Sequence, residues 1–455
     1  MHIQVSLMVE MDASADLASM EEQIQEAGHR SMRQALKQAV RQWEQQHGSC
    51  PHCGSQQVRL EGTVARTVQA LFGAVRLPRQ GLRCQHGLRR FCPAKQLLAP
   101  LRQGRVSPAL TEAACVAGSS WPYRQAAQVL ARLSGAQISA EEIRLLTNRC
   151  GREVARAQEQ AHPDAVSPAT PAVAPARQEA SPEERTIIGM DGGWVPSREQ
   201  RGGMEGKVAV IARGKQVLRE PSQPSADMTW VQVEKYLRRH RHPSVKRARY
   251  RSHRYVATFA SSAVLGEQAA LAVQQVGEAS SEQVVIADGA PWIKTQTQRH
   301  FPEATCILDW PHLWRTMAKA VRAVGLQREA EPRWVKRQLR QLGDWLWKGE
   351  VEPAKALLKQ WQEEQKGHPP LKALVAALTY LEQQREWIGN YAQWKQQGYP
   401  VGSGIIERAV AVVINRRMKR QGMSWLRRNA TSVVALRVAV LNEEWPLPAA
   451  TRSLA

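Results

Sequence analysis

The sequence predicts an α/β domain carrying a helical insertion, and three observations predict it. In the second half of the chain, TIIGMDGGWV, GKVAVIAR, YVATFA, QVVIADGA and ATCILDW read as short apolar strands. SSAVLGEQAALAVQQVG has helical spacing and stands among them. From His312 to about Gln397 the chain turns mostly helical, rich in Trp, Leu, Gln and basic residues. Strands joined by helices, followed by a long helical block, are the pattern of a sheet covered by helices and interrupted by more of them.

The rest of the chain divides by changes in composition. Residues 1–47 hold a polar helix, EEQIQEAGHRSMRQALKQAVRQWEQQ, with apolar residues at helical spacing. Residues 48–100 are Cys-rich and turn-rich, and VRLEGTVARTVQALFGAVRL alternates in the manner of short strands. Residues 101–160 return to helix in three periodic runs. Here PYRQAAQVLARL, a Gly-containing break and Ser139 as N-cap give either a helix-turn-helix or a plain helical bundle. The second helix opens on Glu141 and Glu142, which weighs against its entering a groove lined by phosphates. Residues 161–184, AHPDAVSPATPAVAPARQEASPEE, lack periodicity and read as a Pro/Ala-rich linker. The α/β block follows from 185 to 445, with its helical insertion at about 313–400.

A net charge of +22 over 455 residues points to a polyanionic partner, nucleic acid before others. No apolar run approaches the roughly 18–20 residues needed to span a bilayer, and the N-terminus is not a signal peptide, so a cytoplasmic protein is expected. Seven cysteines with no export signal favour metal ligation over disulfides. Cys50-Pro-His-Cys53-Gly has the form of half a zinc knuckle. Cys84 and Cys92 arrive where a second half should, although Cys84 is not followed by a CxxC partner, so the fourth ligand is either Cys92 or His86. Idle thiols are the alternative, and Cys115, Cys150 and Cys306 sit in apolar patterns as small core residues.

Three acids carry the chemistry. Asp191 and Asp288 each end an apolar strand and precede glycine, while Glu407 stands on the first turns of a helix after a GSG break. A lone strand-end Asp-Gly is ordinarily a turn. Two of them with a helix-borne glutamate supply the oxygen ligands that a pair of Mg²⁺ or Mn²⁺ ions needs for phosphoryl transfer. Arg408, Arg416, Arg417, Lys419, Arg420, Arg427 and Arg428 follow Glu407 and are expected to hold the DNA backbone on those metals. A second basic stretch, from Lys235 through Arg238, Arg239, Arg241, Lys246, Arg247, Arg249 and Arg251 to Arg254, is either a further contact or a solvated face. Trp292, Trp310, Trp314 and Trp425 either stack on displaced bases or pack against the insertion helices.

The segments IIGMDGGWV, VVIADGAPWIKTQTQRHFPEATCILDWPH and VGSGIIERAVAVVINRRMKRQGMSWLRRNA together resemble bacterial insertion-sequence transposases, most of all the Kra-type group, which is related in layout to the Mutator-like enzymes. The resemblance covers roughly Arg185 to Trp445. It implies an RNase H-like catalytic domain with an Asp-Asp-Glu triad, carried over to Asp191, Asp288 and Glu407, and the family's helical insertion between the last two. It also implies a homo-oligomer acting on element ends and target DNA, by cleavage and then strand transfer. Asp309 and His312, in DWPH, match a short acid-or-cysteine, two-residue, histidine motif of related enzymes and are expected beside the active site, positioning DNA. Asp309 also ends a strand, but DGAPWI and the following helix favour Asp288 as the second ligand. Two rival readings stand: a nuclease of the same fold that does not join strands, and a DNA-binding regulator derived from a transposase.

Overall fold

A computed structural model describes residues 3–11, 14–101, 104–161, 185–215, 228–239, 249–276, 282–364 and 371–444. The predicted linker lies outside these residues apart from Ala161, as do Arg241, Lys246, Arg247 and Trp445. The chain divides into two compact units, one from residues 1–157 with 428 onward and the other from 158–427. The expected catalytic block therefore gives up its last helix to the first unit.

In the first unit, α1 (Leu17–Gln46) starts at Asp16, whose carboxylate accepts the Ser19 N–H at 2.8 Å. It leads to β1 (Val58–Ala70) and β2 (Gly73–Cys84), one long antiparallel hairpin where several short strands were expected. Gly73, at φ +102°, lets the chain reverse tightly enough to continue the pairing. Val68, Ala70, Val75 and Leu77 then form one buried face with Val40 of α1. The Glu44 carboxylate is buried at 1% exposure and accepts the Gln80 N–H at 2.9 Å, pinning α1 to β2. A short β3 (Arg90–Phe91) and α2 (Ala94–Leu97) follow.

Three helices complete the unit: α3 (Pro108–Ser120), α4 (Tyr123–Ser134) and α5 (Ala140–Gln160). Ser139 accepts the Glu142 N–H at 3.1 Å, the N-cap the sequence marks. Their apolar faces bury Leu110, Ile143, Leu146 and Val154 together with Leu436 of the last helix, Arg427–Leu441. Each such side chain contributes roughly 1.5–3 kcal/mol when fully buried.

The second unit is built on a five-stranded sheet of order β6-β5-β4-β7-β8. β4 (Arg185–Val195), β5 (Met204–Lys215) and β6 (Arg249–Thr258) pair antiparallel. α6 (Trp230–Arg239) lies between β5 and β6 in sequence, within the basic stretch that gave no helical expectation. After α7 (Ser262–Val276), β7 (Gln283–Ala287) runs parallel to β4. α8 (Pro291–His300) leads to β8 (Thr305–Leu308), parallel to β7. The insertion comprises α9 (Trp310–Gln327), α10 (Pro332–Trp347), α11 (Val351–Glu363), α12 (Lys372–Gln383) and α13 (Tyr391–Gln396).

One core joins the sheet to the insertion, in which Trp310, Trp347 and Tyr391 pack on Ile286, Leu308 and Met317. Trp292 and Trp314 pack at its edge and Trp425 is buried at 8% exposure, so Trp292, Trp310, Trp314 and Trp425 all serve packing. α14 (Gly404–Val410) passes through one π-helical turn, Ala411–Asn415, into α15 (Arg416–Met418) and then α16 (Arg427–Leu441). No described helix is long and apolar enough to cross a membrane.

Candidate active site

The strand register brings the aspartates together. The final register pair of β4 and β7 is Gly189 with Ile286. Carried two residues further, the register sets Asp191 level with Asp288, on neighbouring chains roughly 4.8 Å apart. β7 and β8 pair Ala287 with Leu308, so the next position sets Asp288 level with Asp309. Of this row of three carboxylates, Asp288 and Asp309 follow the carboxyl ends of β7 and β8, where loops open space for a ligand. Asp191, expected at a strand end, stands instead inside β4, which continues to Val195 because its pairing with β5 does not stop at the acid.

Glycine spacing explains how the glutamate reaches this row. Gly189, Asp191 and Gly193 alternate along β4 and share one face. A Cβ on Gly189 would stand 2.9 Å from the Ile406 Cβ, and one on Gly193 would stand 3.0 Å from Val410 Cγ1. Without side chains at these two positions, α14 lies close upon the strand. Asp191 remains as the one side chain between them, beneath the helix that carries Glu407. A π-helical turn follows that helix directly, a distortion common beside functional sites.

The charges act on each other. Burial pushes the Asp191 carboxyl up to about 6, and the negative charges of Asp288 and Glu407 add to the rise. The Gly192 N–H, at 2.6 Å from Oδ1, and the His312 charge oppose it. Asp288 accepts the Ala290 N–H at 3.0 Å. Glu407 is half exposed and stands 3.6 Å from the Arg315 guanidinium. Among the described residues the three carboxylates do not close to mutual ligand spacing.

The insertion holds the strand ends in place, which nothing in the sequence announced. Tyr380 Oη donates to the Asp288 carbonyl at 2.9 Å, and Gln384 Nε2 donates to the Gly289 carbonyl at 2.9 Å. Tyr380 lies in the last turn of α12, and Gln384 is the residue that caps it. Gly289 has φ +81°, a conformation that admits few other residues. Tyr391 Oη donates to the Leu308 carbonyl at 3.0 Å. Periodicity gives the face of such a helix but not the carbonyls it meets.

Asp309, expected to position DNA, is buried and exposes no carboxylate for a direct contact. It is 0% exposed and caps α9, with Oδ2 accepting the His312 N–H at 3.0 Å and bonding His312 Nδ1. Oδ1 accepts the Ser403 N–H at 2.6 Å, at the residue that starts the Glu407 helix. The three-residue spacing of DWPH is thus the spacing from an N-cap to the third helical position. His312 is a third exposed on its side chain, and its bond to Asp309 holds its pKa above the usual value.

The basic residues after Glu407 divide. Arg408, Arg416, Lys419 and Arg420 are exposed. Arg417 is 1% exposed, with its guanidinium 5.1 Å from the Trp425 ring, so it is a core residue and not a DNA contact. Arg427 donates from Nη1 to the Phe259 carbonyl at 2.6 Å. Arg428 belongs to the first unit. In the other stretch Lys235 is exposed and Arg254 half-buried.

The first unit gathers three cysteines. The ligand atoms of Cys50, Cys53 and Cys84 all lie within 4.8 Å of one another. The Gly54 N–H bonds the Cys50 carbonyl at 2.9 Å with Gly54 at φ +71°, the tight turn a knuckle needs. Cys92, predicted as a ligand, packs instead against the apolar cluster between α1 and the hairpin. His86 turns to Gln57 at 3.0 Å. Neither joins the three thiols among the described residues.

A family described as an uncharacterised protein family, UPF0236, matches residues 271–444. That span is less than half of the chain and holds Asp288, Asp309 and Glu407 but not Asp191. No curated protein matches the chain.

Proposed function

We propose that the protein is a DNA transposase of the insertion-sequence type, with an RNase H-like catalytic unit using Asp191, Asp288 and Glu407. The observation that carries this reading is the level placement of the two aspartates on adjacent parallel strands under the glutamate helix. Support for the RNase H-like assignment comes from a sheet that is antiparallel over β6-β5-β4 and parallel over β4-β7-β8. The helical block between Asp288 and Glu407 fits an insertion.

The donor set is three hard oxygen ligands with mutual repulsion, which suits Mg²⁺ or Mn²⁺. Bound there, a pair of such ions would activate the attacking oxygen and stabilise the leaving one. The chain's own part is placement. Tyr380 and Gln384 hold the Asp288 loop, and Asp309 ties the α14 start to α9. Glu407 can leave Arg315 to join the aspartates, and Arg408 and Arg416 bind phosphates beside them. The reaction is phosphodiester hydrolysis followed by attack of the freed 3′-OH on target DNA, without a covalent protein–DNA intermediate. In the first unit, Cys50, Cys53 and Cys84 supply three thiolates of a structural Zn²⁺ site.

The test is a strand-transfer assay, with 3′-OH element-end duplexes and plasmid as target in Mg²⁺. The wild type should join the ends. Asp288→Asn should lose about 10³-fold or more in cleavage while retaining DNA binding, the scale of losing a metal ligand's several kcal/mol. Cleavage unchanged in that variant refutes the assignment, and cleavage without joining marks a nuclease.

A further inference from the structure

Beyond Asp191, β4 runs into an open groove that lies outside the row of acids. One wall is the β4–β5 connection, with Arg198 and Arg201, and the other is the 419–423 loop, with Lys419 and Arg420. The groove encloses about 990 Å³. Its walls are fixed to each other: the Arg198 N–H bonds the Trp425 carbonyl at 2.9 Å, and the Trp425 N–H bonds the Pro196 carbonyl at 3.0 Å. The one acid in the lining, Glu199, is engaged by the Arg427 N–H at 2.9 Å, at the start of α16. All four cations are exposed, and among the described residues none is ion-paired. Trp194, at the mouth, is 55% exposed, whereas Trp310 and Trp425 are buried.

We propose that this groove binds a single-stranded segment of nucleic acid, with Arg198, Arg201, Lys419 and Arg420 on its phosphates and Trp194 stacked on an unpaired base. Four exposed cations on fixed walls complement a phosphate chain, and a solvent-facing indole beside them is the usual partner of an unstacked base. Trp194 stands three residues from Asp191 on an extended strand, about 10 Å away at 3.3 Å per residue. Alternation along β4 puts Trp194 on the face opposite Asp191, so the groove is a site apart from the acids. Binding there deepens the reading of the site as one acting on DNA and rests on it only for what happens to the bound strand.

The test is metal-free binding, in EDTA, of a fluorescein-labelled 20-nucleotide single strand and of the matching duplex, by anisotropy over a series of salt concentrations. For the single strand, Arg198→Ala with Arg201→Ala should lower the slope of log K against log salt by about 1.4, at about 0.7 for each phosphate no longer neutralised. Trp194→Ala should weaken the single strand about tenfold and leave the duplex within twofold. An unchanged slope, or equal losses for strand and duplex, overturns the proposal. Thermal melting of each variant guards against a folding defect, which is not expected at exposed positions. Because no metal is present, groove binding in a protein that never cleaves DNA would sink the transposase reading alone. Cleavage with unaltered binding slopes would sink the groove alone.

Discussion

At the scale of single residues, one carboxylate illustrates how burial decides role. Asp191, Asp288 and Asp309 come level with one another on three neighbouring strands, yet Asp309 has both oxygens committed to His312 and Ser403. A buried acid so engaged organises two helix starts. Asp191 is instead short of partners and holds its proton up to about 6. The sign of its effect follows. An acid with a folded pKa above its unfolded value near 3.8 binds more protons when folded, so its stabilising contribution is complete below about pH 4 and is lost as pH rises through 6. Divalent ions take the place of that proton. Added Mn²⁺ should therefore raise the melting temperature more at pH 7.5 than at pH 5.5, by differential scanning fluorimetry. Equal shifts at the two values would contradict a role for Asp191 in metal binding.

At the scale of elements, the close approach of α14 to β4 decides where the glutamate sits. Gly189→Val places a branched side chain against Ile406, and overpacking of this kind costs about 1–3 kcal/mol. With a few degrees per kcal/mol for a unit of this size, melting should fall by roughly 5 °C. DNA cleavage should fall as Glu407 moves off the aspartates. Gly62→Ala, where an added Cβ meets nothing within 4 Å, should change neither. A Gly189→Val protein with wild-type cleavage would mean that this approach does not set the glutamate. Such elements also show what a sequence can carry. Alternation and glycine placement expose β4 and β7, because those signals are local, but they end β4 at Asp191, whereas its pairing with β5 carries it on to Val195. Tyr380, Gln384 and the Ser403–Asp309 bond stay hidden, because each joins segments about ninety residues apart. Arg417 misleads for a related reason: the basic residues around it, Arg416, Lys419 and Arg420, are exposed, whereas Arg417 packs against Trp425.

At the scale of the whole molecule, two units divide the labour. The first combines a hairpin, a cysteine cluster and a helical bundle that takes in α16. The second presents the acids and the basic groove. If three thiolates hold the metal of the first unit, the purified protein should contain one Zn²⁺ per chain by atomic emission. Cys84→Ser should lose it and Cys92→Ser should keep it; loss in both would restore Cys92 as a ligand. The claim on which the rest depends is that Asp191, Asp288 and Glu407 share divalent ions. Anomalous diffraction from crystals soaked in Mn²⁺ tests it most directly. The expected result is Mn²⁺ peaks coordinated by Asp191 and Asp288, with Glu407 swung away from Arg315 to join them, and their loss in Asp288→Asn. Mn²⁺ bound elsewhere, with Glu407 still paired to Arg315, would contradict it.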